Sequence, residues 1–510
     1  MMDPIYAVLP LLLILVLMAG LRWGAARAGA AGWAAALIIA WFRFGGGPGV
    51  LVVAQAKSLL LSFDVLMIMW GAFLLYKVTD SAGAINVIGR AIPLLTDDRG
   101  IQALLVGWVF PSFLQGLGGF GVPVAVTAPL LVGLGFSPLQ AVVIPSIGHA
   151  WAVTFGSLGA AFQALRVSSG LTGEALAPAA AVALGGLCLV SGWGAAHASG
   201  ARLRSARMLG MILVLACVMS VTQYALAATG LWGLASFGGS TAGLALGYWL
   251  ASRTQAPGGS PGGPKRADVF LAFVGYLILV VLAVVIEFVP AVHTWLSQPA
   301  FHFSLPATVT ARGFRTPAVV GRALALISHP GMVLVYAAAL THGLYRLRGM
   351  AAPGDAGRIV RATVGRMGPS TIGILAMVAM AEVMTYAGMT DSLASALAAG
   401  FGRFYPWVAP WIGALGAFMT GSNTNSNAVL AALQLRTSQI LGLPAAAMLA
   451  AQTAGGAFGS VIAPAKLIVG ASTAGLVGDE GLALRRLGGY VLLALALTSL
   501  GVVVALAVLG

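Results

Sequence analysis

The sequence predicts an all-α polytopic membrane protein of about 12–14 transmembrane helices, with inverted repeats and paired re-entrant hairpins. The first observation is composition: 59% of the 510 residues are hydrophobic and 8% are charged, whereas soluble domains carry about 25% charged residues. The second is that apolar runs recur at about the 20-residue length that a span needs. The third is a pair of Gly-rich or polar interruptions deep in apolar sequence, at 113–121 and 418–427.

Short basic loops between the predicted spans carry most of the net charge of +14. Lys and Arg concentrate in cytoplasmic loops of membrane proteins, so these loops set the topology. The charge therefore indicates a lipid bilayer and not nucleic acid as the surroundings of the chain. The basic loops are Arg22–Arg27, Arg202–Arg207, Arg253–Arg266 and Arg346–Arg366.

Two halves of the chain echo each other at a nearly constant shift. Phe113-x-x-Gly116 matches Phe418-x-x-Gly421 at a shift of 305 residues, and Phe155-Gly156-Ser157 matches Phe458-Gly459-Ser460 at 303. The charge map makes the helix with Lys77 run inward and the helix with Glu382 run outward, which predicts an inverted repeat. The predicted parts are a first repeat at 5–200 with a hairpin near 113–136, connecting helices at 201–330 with a cytoplasmic linker at 252–268, and a second repeat at 331–510 with a hairpin near 418–435.

The first hairpin tip is rich in glycine. Irregular backbone at membrane depth is tolerated only where protein or a water-filled cavity covers it. Pro123 suits the first turn of a helix that leaves the tip, and the apolar run that follows to Phe136 is too short to span. The side chains and glycines predicted to face a substrate here are Gln115, Gly119, Gly121 and Thr127.

The second tip is a polar run. Ser, Thr and Asn favour helix N-caps, and a helix that begins there points its positive dipole end and free N–H groups into the cavity. Such an end is a carboxylate site that needs no Arg. A surface loop is the alternative interpretation, but the apolar flanks and the partner tip favour the membrane position. The predicted substrate-binding residues are Ser422, Asn423, Thr424, Asn425, Ser426 and Asn427.

Two equivalent stretches, 145–151 and 451–456, are expected to be unwound and to face the same cavity. His149 and Gln452 coincide under the 303-residue shift, and both, with Thr453, are predicted to contact substrate. His149 is also the candidate for coupling, because histidine has an ordinary pKa of about 6.5. The alternative for His149 is a packing residue.

Several charged residues fall within or near the spans. Lys466 is predicted to bind a substrate carboxylate, because a buried ammonium needs a partner. Lys77 and Glu382 coincide under the 305-residue shift; they either snorkel to the interface or pair with each other. Asp64 is expected at a span end, at the membrane interface, and 50–62 is expected to form an amphipathic interfacial helix.

At these residues the chain resembles the lactate permease family of bacterial L-lactate and glycolate transporters. The resemblance is close at GFGVPVAVTA (119–128) and TGSNTNSNA (420–428), with support from AAQTAGG (450–456) and GLVG (475–478). It implies an inner-membrane, proton-coupled uptake protein for 2-hydroxy monocarboxylates, with inverted repeats and re-entrant hairpins. Gln115 stands where the family has Glu, Asn423 where it has Asp, and Lys466 stands near Ser460, where a Lys is expected. An amide carries no proton, so coupling is expected elsewhere.

The sequence leaves three classes of function to compare. The first is a secondary active transporter for small monocarboxylates with proton symport, and the second is an uncoupled facilitator, channel or exchanger for another small organic anion. The third, an intramembrane enzyme, lacks the motifs of metalloprotease or serine-hydrolase chemistry, and two inverted hairpins favour transport. Cys188 and Cys217 lie in apolar segments without metal-ligand spacing, so no metal or cofactor is predicted. No motif decides between a monomer and a homodimer.

Overall fold

A computed structural model describes residues 3–21, 23–91, 96, 98–119, 121–201, 205–252, 265–298, 300–352, 354–476 and 479–509. Helices make up 83% of it, which confirms the all-α polytopic class. Most of the predicted linker 252–268, as well as Phe120 at the first tip, lies outside the described residues.

Ten α-helices lie in the described part of the first half of the chain. They are α1 Asp3–Leu15, α2 Ala25–Phe44, α3 Pro48–Ser81, α4 Ala84–Ala91, α5 Arg99–Leu104, α6 Phe110–Gly118, α7 Val122–Gly133, α8 Pro138–Gly148, α9 Gly156–Ser169 and α10 Gly173–Ser199. Two turns of wider helix, Val16–Gly20 and Leu105–Val109, continue α1 and join α5 to α6.

Connecting helices and two small antiparallel sheets lead to the second half. The connecting helices are α11 Ala206–Ala228, α12 Trp232–Ser252, α13 Arg266–Phe288 and α14 Pro290–Leu296. Strands β1 Ala300–Leu305 and β4 Val319–Ala325 pair around β2 Thr308–Val309 and β3 Arg315–Thr316. The second half contains α15 Pro330–Leu347, α16 Asp355–Tyr386, α17 Met389–Phe401, α18 Tyr405–Thr420, α19 Asn423–Ile440, α20 Ala445–Val461, α21 Pro464–Ala474 and α22 Glu480–Leu509.

Many of these helices are long and apolar enough to cross a bilayer. By length and composition, 9 helices of the described residues qualify, and up to 10 if the bent pair Pro138–Ala152 and Gly156–Ser169 is one span. A multi-pass membrane protein is therefore confirmed, while the predicted count of 12–14 spans stays a prediction.

The order of the helices recurs between the two halves. Helices α2 and α15 begin at Ala25 and Pro330, α3 and α16 at Pro48 and Asp355, and α10 and α22 at Gly173 and Glu480. This recurrence supports the internal repeat. The inverted relation of the halves and the domain bounds stay predictions, as does the re-entrant character of the hairpins.

Helices stop inside apolar sequence at both predicted tips. Gly119 to Gly121 separates α6 from α7, and Gly421 with Ser422 separates α18 from α19. Gly121 and Gly421 have φ angles of 88° and 69°, a backbone region that favours glycine. The paired interruptions in the sequence therefore mark real helix breaks.

The chain does not unwind within either of the two predicted stretches, so that prediction is wrong. Residues 145–148 belong to α8 and Ala150–Ala152 form a 3-10 turn, and the helix axis bends by 52° just after this turn, before α9 begins at Gly156. The second stretch, 451–456, lies inside the continuous helix α20, and the chain breaks only after Val461. Glycine serves packing here: a Cβ on Gly455 would lie 1.9 Å from the Pro410 carbonyl oxygen.

The positions and partners of the charged residues on α3 and α16 also differ from the predictions. The stretch 50–62 forms no separate interfacial helix but is part of the 34-residue helix α3. Asp64 is buried in that helix, at 6% exposure, and is not interfacial. The predicted Lys77–Glu382 pair is wrong, because Lys77 Nζ lies 2.9 Å from Asp80 Oδ2 and Glu382 Oε2 lies 3.3 Å from Lys57 Nζ.

Replacing Gly455 by Ala is expected to loosen the packing of α20 on α18, because the added Cβ overlaps the Pro410 backbone. We expect a loss of about 1–3 kcal/mol, measured as a lower thermal unfolding midpoint of the purified protein. Gly489→Ala is the matched control, since nothing lies within 4 Å of a Cβ on Gly489. Equal midpoints for the two variants would contradict this packing.

Candidate functional site

The hydroxyl of Thr453 is the centre of a buried polar cluster where both halves of the chain meet. Thr453 lies on α20 and is fully buried. Its Oγ1 accepts hydrogen bonds from Asn423 Nδ2 at 3.2 Å and from Asn427 Nδ2 at 2.8 Å. Thr154 Oγ1, in the break before α9, lies 3.1 Å from the same oxygen.

The two asparagines reach Thr453 together because they lie four residues apart, on one face of the first turns of α19. Asn423 Nδ2 also donates to Thr154 Oγ1 at 3.1 Å, and Asn427 Nδ2 donates to the Ala161 carbonyl oxygen on α9 at 2.9 Å. These bonds satisfy backbone and hydroxyl groups that lipid cannot. They also join the second tip to the broken helix of the first half.

Three amide oxygens at this tip have no hydrogen-bond partner in the described part of the chain. They are the Oδ1 atoms of Asn423, Asn425 and Asn427. A carbonyl oxygen of this kind accepts hydrogen bonds and cannot donate them. The tip therefore contains three buried hydrogen-bond acceptors without a partner among the described residues.

Neighbouring polar side chains on α18, α19 and α20 form a hydrogen-bonded network next to the tip. Tyr405 OH donates to Gln434 Oε1 at 2.5 Å, and Gln434 Nε2 donates to Gln452 Oε1 at 2.9 Å. Gln452 Nε2 donates to Ser426 Oγ at 3.1 Å, and Ser426 donates to the Gly413 carbonyl oxygen at 2.8 Å. Because these groups are paired with one another, they position the tip.

A left-handed turn begins α9 beside the first tip. Ser157, Leu158 and Gly159 have φ angles of 49°, 53° and 85°. Two non-glycine residues in this region store backbone strain, about 1–3 kcal/mol each. A Cβ on Gly119 would lie 2.5 Å from Ser157 Oγ and 2.8 Å from Gln115 Nε2. The first tip therefore closes against this turn only because Gly119 has no side chain.

His149 follows α8, and Lys466 lies in the first turn of α21. His149 is 2% exposed, and its Nδ1 lies 2.6 Å from the Pro145 carbonyl oxygen, so that nitrogen carries the hydrogen and Nε2 is the acceptor in the neutral ring. Lys466 is close enough to act electrostatically on His149. Lys466 Nζ donates to Ser460 Oγ at 3.0 Å, which brings an ammonium to Ser460, where the family resemblance places a lysine.

The predicted site residues thus fall into groups. The structure brings together Asn423, Asn427 and Thr453, whereas Ser426 and Gln452 turn toward the supporting network. Thr127 Oγ1 bonds within its own helix, to the Pro123 carbonyl oxygen at 2.6 Å. Ser422 caps α19 by accepting from the Asn425 N–H at 3.4 Å, and Thr424 is only half-buried. Their roles toward a substrate stay predictions.

Sequence reasoning missed Thr154, Gln434 and Tyr405. Thr154 directly precedes the echoed Phe155-Gly156-Ser157, so the repeat was a signal for it. Gln434 is a polar residue in an apolar helix, and a buried amide indicates a hydrogen-bonded partner. No three His, Cys, Asp or Glu side chains lie close enough to hold a metal ion within the described ranges.

Known proteins that resemble this chain are transporters. It is 27% identical to glycolate permease GlcA of Escherichia coli K12 over 94% of this chain and 91% of that protein. It is 29% identical to the L-lactate permease of the same strain, over 82% and 80%. The L-lactate permease of Bacillus subtilis strain 168 is 28% identical, over 80% and 78%.

Two solved structures also resemble the fold. The Alcanivorax borkumensis YdaH transporter matches with a TM-score of 0.46 at 16% identity, over 86% of this chain and 84% of that one. Neisseria gonorrhoeae MtrF matches with a TM-score of 0.47 at 14% identity, over 86% and 80%.

The family model described as L-lactate permease matches residues 3–509. Membership in a permease family, together with the 9 or more candidate spans, makes the chain a multi-pass protein of a bacterial inner membrane whose activity is transport and not catalysis. The protein therefore belongs to the L-lactate permease family.

Proposed function

We propose that the protein carries short 2-hydroxy monocarboxylates, of the lactate and glycolate type, by secondary active transport with proton symport. The observation that carries the proposal is the polar tip at the start of α19, where unpaired amide oxygens lie at a helix N-terminus. The relatives named for L-lactate and glycolate support the substrate class. Such a substrate has one carboxylate, which accepts hydrogen bonds, and one neighbouring hydroxyl, which can also donate one.

The carboxylate is expected to bind positive groups. The N-terminus of α19 has a positive dipole end, and the first N–H groups of a helix have no partner within it, which favours an anion even though Ser422 caps the Asn425 N–H. The half-buried Lys466 ammonium has Ser460 as a hydrogen-bond partner, and an ammonium with three donors retains capacity for a carboxylate. A charge-assisted hydrogen bond from lysine would account for selection of anions over neutral acids.

The hydroxyl is expected to donate to an asparagine. In this arrangement both Nδ2 groups of Asn423 and Asn427 are bound to Thr453, so each amide presents its oxygen as an acceptor. A site that must pair a buried acceptor rejects an analogue without the hydroxyl. This supports 2-hydroxy acids over simple carboxylic acids such as acetate or propionate.

Coupling is assigned to His149, and an uncoupled facilitator or exchanger remains the second candidate. The amides of Gln115 and Asn423 do not titrate, which favours the second candidate if no other group takes their place. His149 lies near Lys466, so a carboxylate bound there would favour a charged imidazole. Proton and anion would then bind together. A homodimer is compatible with this proposal and is decided by the mass of the purified particle.

Asn423→Ala is expected to raise the apparent KM for the substrate by about 2- to 10-fold, since a hydrogen bond between the neutral amide and the substrate hydroxyl contributes about 0.5–1.5 kcal/mol. The measurement is initial uptake of radiolabelled lactate and glycolate into proteoliposomes. Gln439→Ala, an exposed position on the same helix, controls for membrane insertion. Wild-type KM in Asn423→Ala would remove this side chain from the site, and no transport of any C2–C4 monocarboxylate by the wild type would refute the substrate class.

Lys466→Gln is expected to weaken anion binding by about tenfold or more, because a charge-assisted bond of about 1.5–3 kcal/mol is lost. Lys466→Arg, which keeps the charge, should retain most of the affinity. Substrate protection against thermal unfolding of the purified protein measures binding apart from transport. Lys265→Gln at an exposed position is the control, and equal affinity in Lys466→Gln would contradict the assignment.

His149→Gln should abolish accumulation that a pH gradient drives, while exchange of substrate across equal pH continues, because only proton binding is lost. His302→Gln, on exposed β1, should behave as wild type. Retained accumulation would refute His149 as the coupling residue. Loss of exchange as well would make His149 a binding or packing residue, and wild-type uptake that ignores the gradient would favour the uncoupled facilitator.

A further inference from the structure

The left-handed turn at 157–159 lies within a segment that is fixed at both ends to the second tip. Before the turn, Thr154 Oγ1 accepts a hydrogen bond from Asn423 Nδ2 at 3.1 Å. After it, the Ala161 carbonyl oxygen accepts from Asn427 Nδ2 at 2.9 Å. Both asparagines belong to the first turns of α19, so the left-handed turn lies beside the polar tip of the second half.

One side of the turn also packs directly against α12. A Cβ on Gly159 would lie 3.0 Å from Gly233 Cα, so the two backbones touch. Ser157 and Leu158 are the only non-glycine residues with positive φ in the part of the chain that the structure describes. Backbone of this kind persists only where its surroundings hold it, and it collects at functional sites. The conformation therefore points to a function for the side chains of the turn.

The side chain of Ser157 lies at the first tip. Ser157 Oγ is 2.5 Å, and Gln115 Nε2 is 2.8 Å, from the position that a Cβ on Gly119 would take. The two polar atoms therefore converge beside the tip. Ser157 is 7% and Gln115 4% exposed, and neither side chain forms a hydrogen bond with another residue that the structure describes. Buried polar groups need partners, so this pair is open to a ligand.

The handedness of the turn explains why the Ser157 hydroxyl has no partner on its own helix. A buried serine in a right-handed helix can donate to the carbonyl oxygen four residues earlier. Ser112, Ser146 and Ser240 do so, each at 2.7 Å. The left-handed turn removes this possibility, because its backbone winds in the opposite sense. The hydroxyl of Ser157 thus keeps its hydrogen for another acceptor.

We propose that the Ser157 hydroxyl and the Gln115 amide form a donor subsite for the oxygen on carbon 2 of the substrate. The inference rests on the proposed function, to which it adds Ser157 as a specificity-determining residue. A hydroxyl or keto oxygen can accept two hydrogen bonds, and the converging groups supply one from Oγ and one from Nε2. Neither group is charged, which suits a neutral oxygen, whereas a carboxylate binds cationic groups more strongly.

This donor subsite selects differently from the asparagine oxygens of the second tip. An asparagine oxygen needs a donor, so it recognises the hydroxyl of lactate and not the keto oxygen of pyruvate. The Ser157 hydroxyl and the Gln115 amide donate, so they recognise both oxygens. Propionate has no oxygen on carbon 2 and gains nothing from either contact. The three acids therefore distinguish the donor subsite from the asparagines.

The test measures how unlabelled lactate, pyruvate and propionate inhibit uptake of radiolabelled lactate into proteoliposomes. Ser157→Ala is expected to raise the inhibition constants of lactate and pyruvate about 2- to 10-fold, the effect of one neutral hydrogen bond, and to leave that of propionate unchanged. Gln115→Met, which keeps the chain length and removes the amide, should give the same pattern. Ser169→Ala, at another buried serine of α9, is the matched control and should change none of the three constants.

Ser157→Gly separates the hydroxyl from the backbone of the turn. Glycine adopts positive φ freely, so this variant should unfold at a temperature close to or above that of wild type and still lose affinity for lactate and pyruvate. Because it fits the turn, it also decides the matter if Ser157→Ala does not fold. Lactate constants that stay unchanged in the Ser157 variants, or a propionate constant that rises equally, overturn the subsite alone. A wild type that takes up no lactate and binds none of the three acids refutes the proposed function and the subsite with it.

Discussion

Hydrocarbon offers no hydrogen bonds, and this protein nevertheless stops several helices inside apolar sequence. Each stop frees N–H and C=O groups that must find partners within the protein. At the second tip the Ser422 hydroxyl accepts from the Asn425 N–H, and the Thr420 hydroxyl donates to the Ser422 carbonyl oxygen. Asn423 and Asn427 on α19 donate in turn to the backbone carbonyl oxygens of Thr453 on α20 and Ala161 on α9. The arrangement of α9, α19 and α20 follows from that need, because the partners come from three different helices.

Two kinds of polar group result from this arrangement. The amides of Gln434 and Gln452 are paired on both sides, and such closed networks fix a unique geometry. The Oδ1 atoms of Asn423 and Asn427 are left unpaired at the same depth, and an unpaired buried acceptor is costly. The paired glutamines fix the position of the tip, and this packing offsets the cost of the unpaired asparagine oxygens within it.

The parts of the molecule that sequence predicts well are those with a local physical cause. Gly121 and Gly421 sit at the predicted breaks because only glycine adopts their backbone freely, and Ser422 is a cap as its residue type indicates. The partners of these residues were not predictable in the same way. Thr154 owes its place to Thr453, 299 residues later, and no local pattern encodes such a contact.

The charged residues show the same limit. An acidic residue within a span needs a partner. The sequence does not show that Lys57 lies beside Glu382, or that His329 lies beside Asp64. The repeat shift suggested Lys77 for Glu382, and the helix geometry selected Lys57, which lies on the same helix, α3, as Lys77. The glycines of α20 suggest a break from sequence alone, although Gly455 allows a close crossing of α20 and α18. The sequence shows which residue types are present, whereas the packing of the helices decides whether a given glycine breaks a helix or allows two helices to approach closely.

The hydrogen bond from Asn423 to Thr154 joins residues 269 positions apart, and this distance has a consequence for how the protein is made. Synthesis proceeds at about 5–20 residues per second, so Thr154 waits on the order of tens of seconds for its partner after it leaves the ribosome. Throughout that interval the broken helix of the first half lies in the membrane with its polar groups uncovered. The nascent chain is then most exposed to insertion factors and to quality-control proteases, and a chain truncated before residue 423 would retain that exposure permanently.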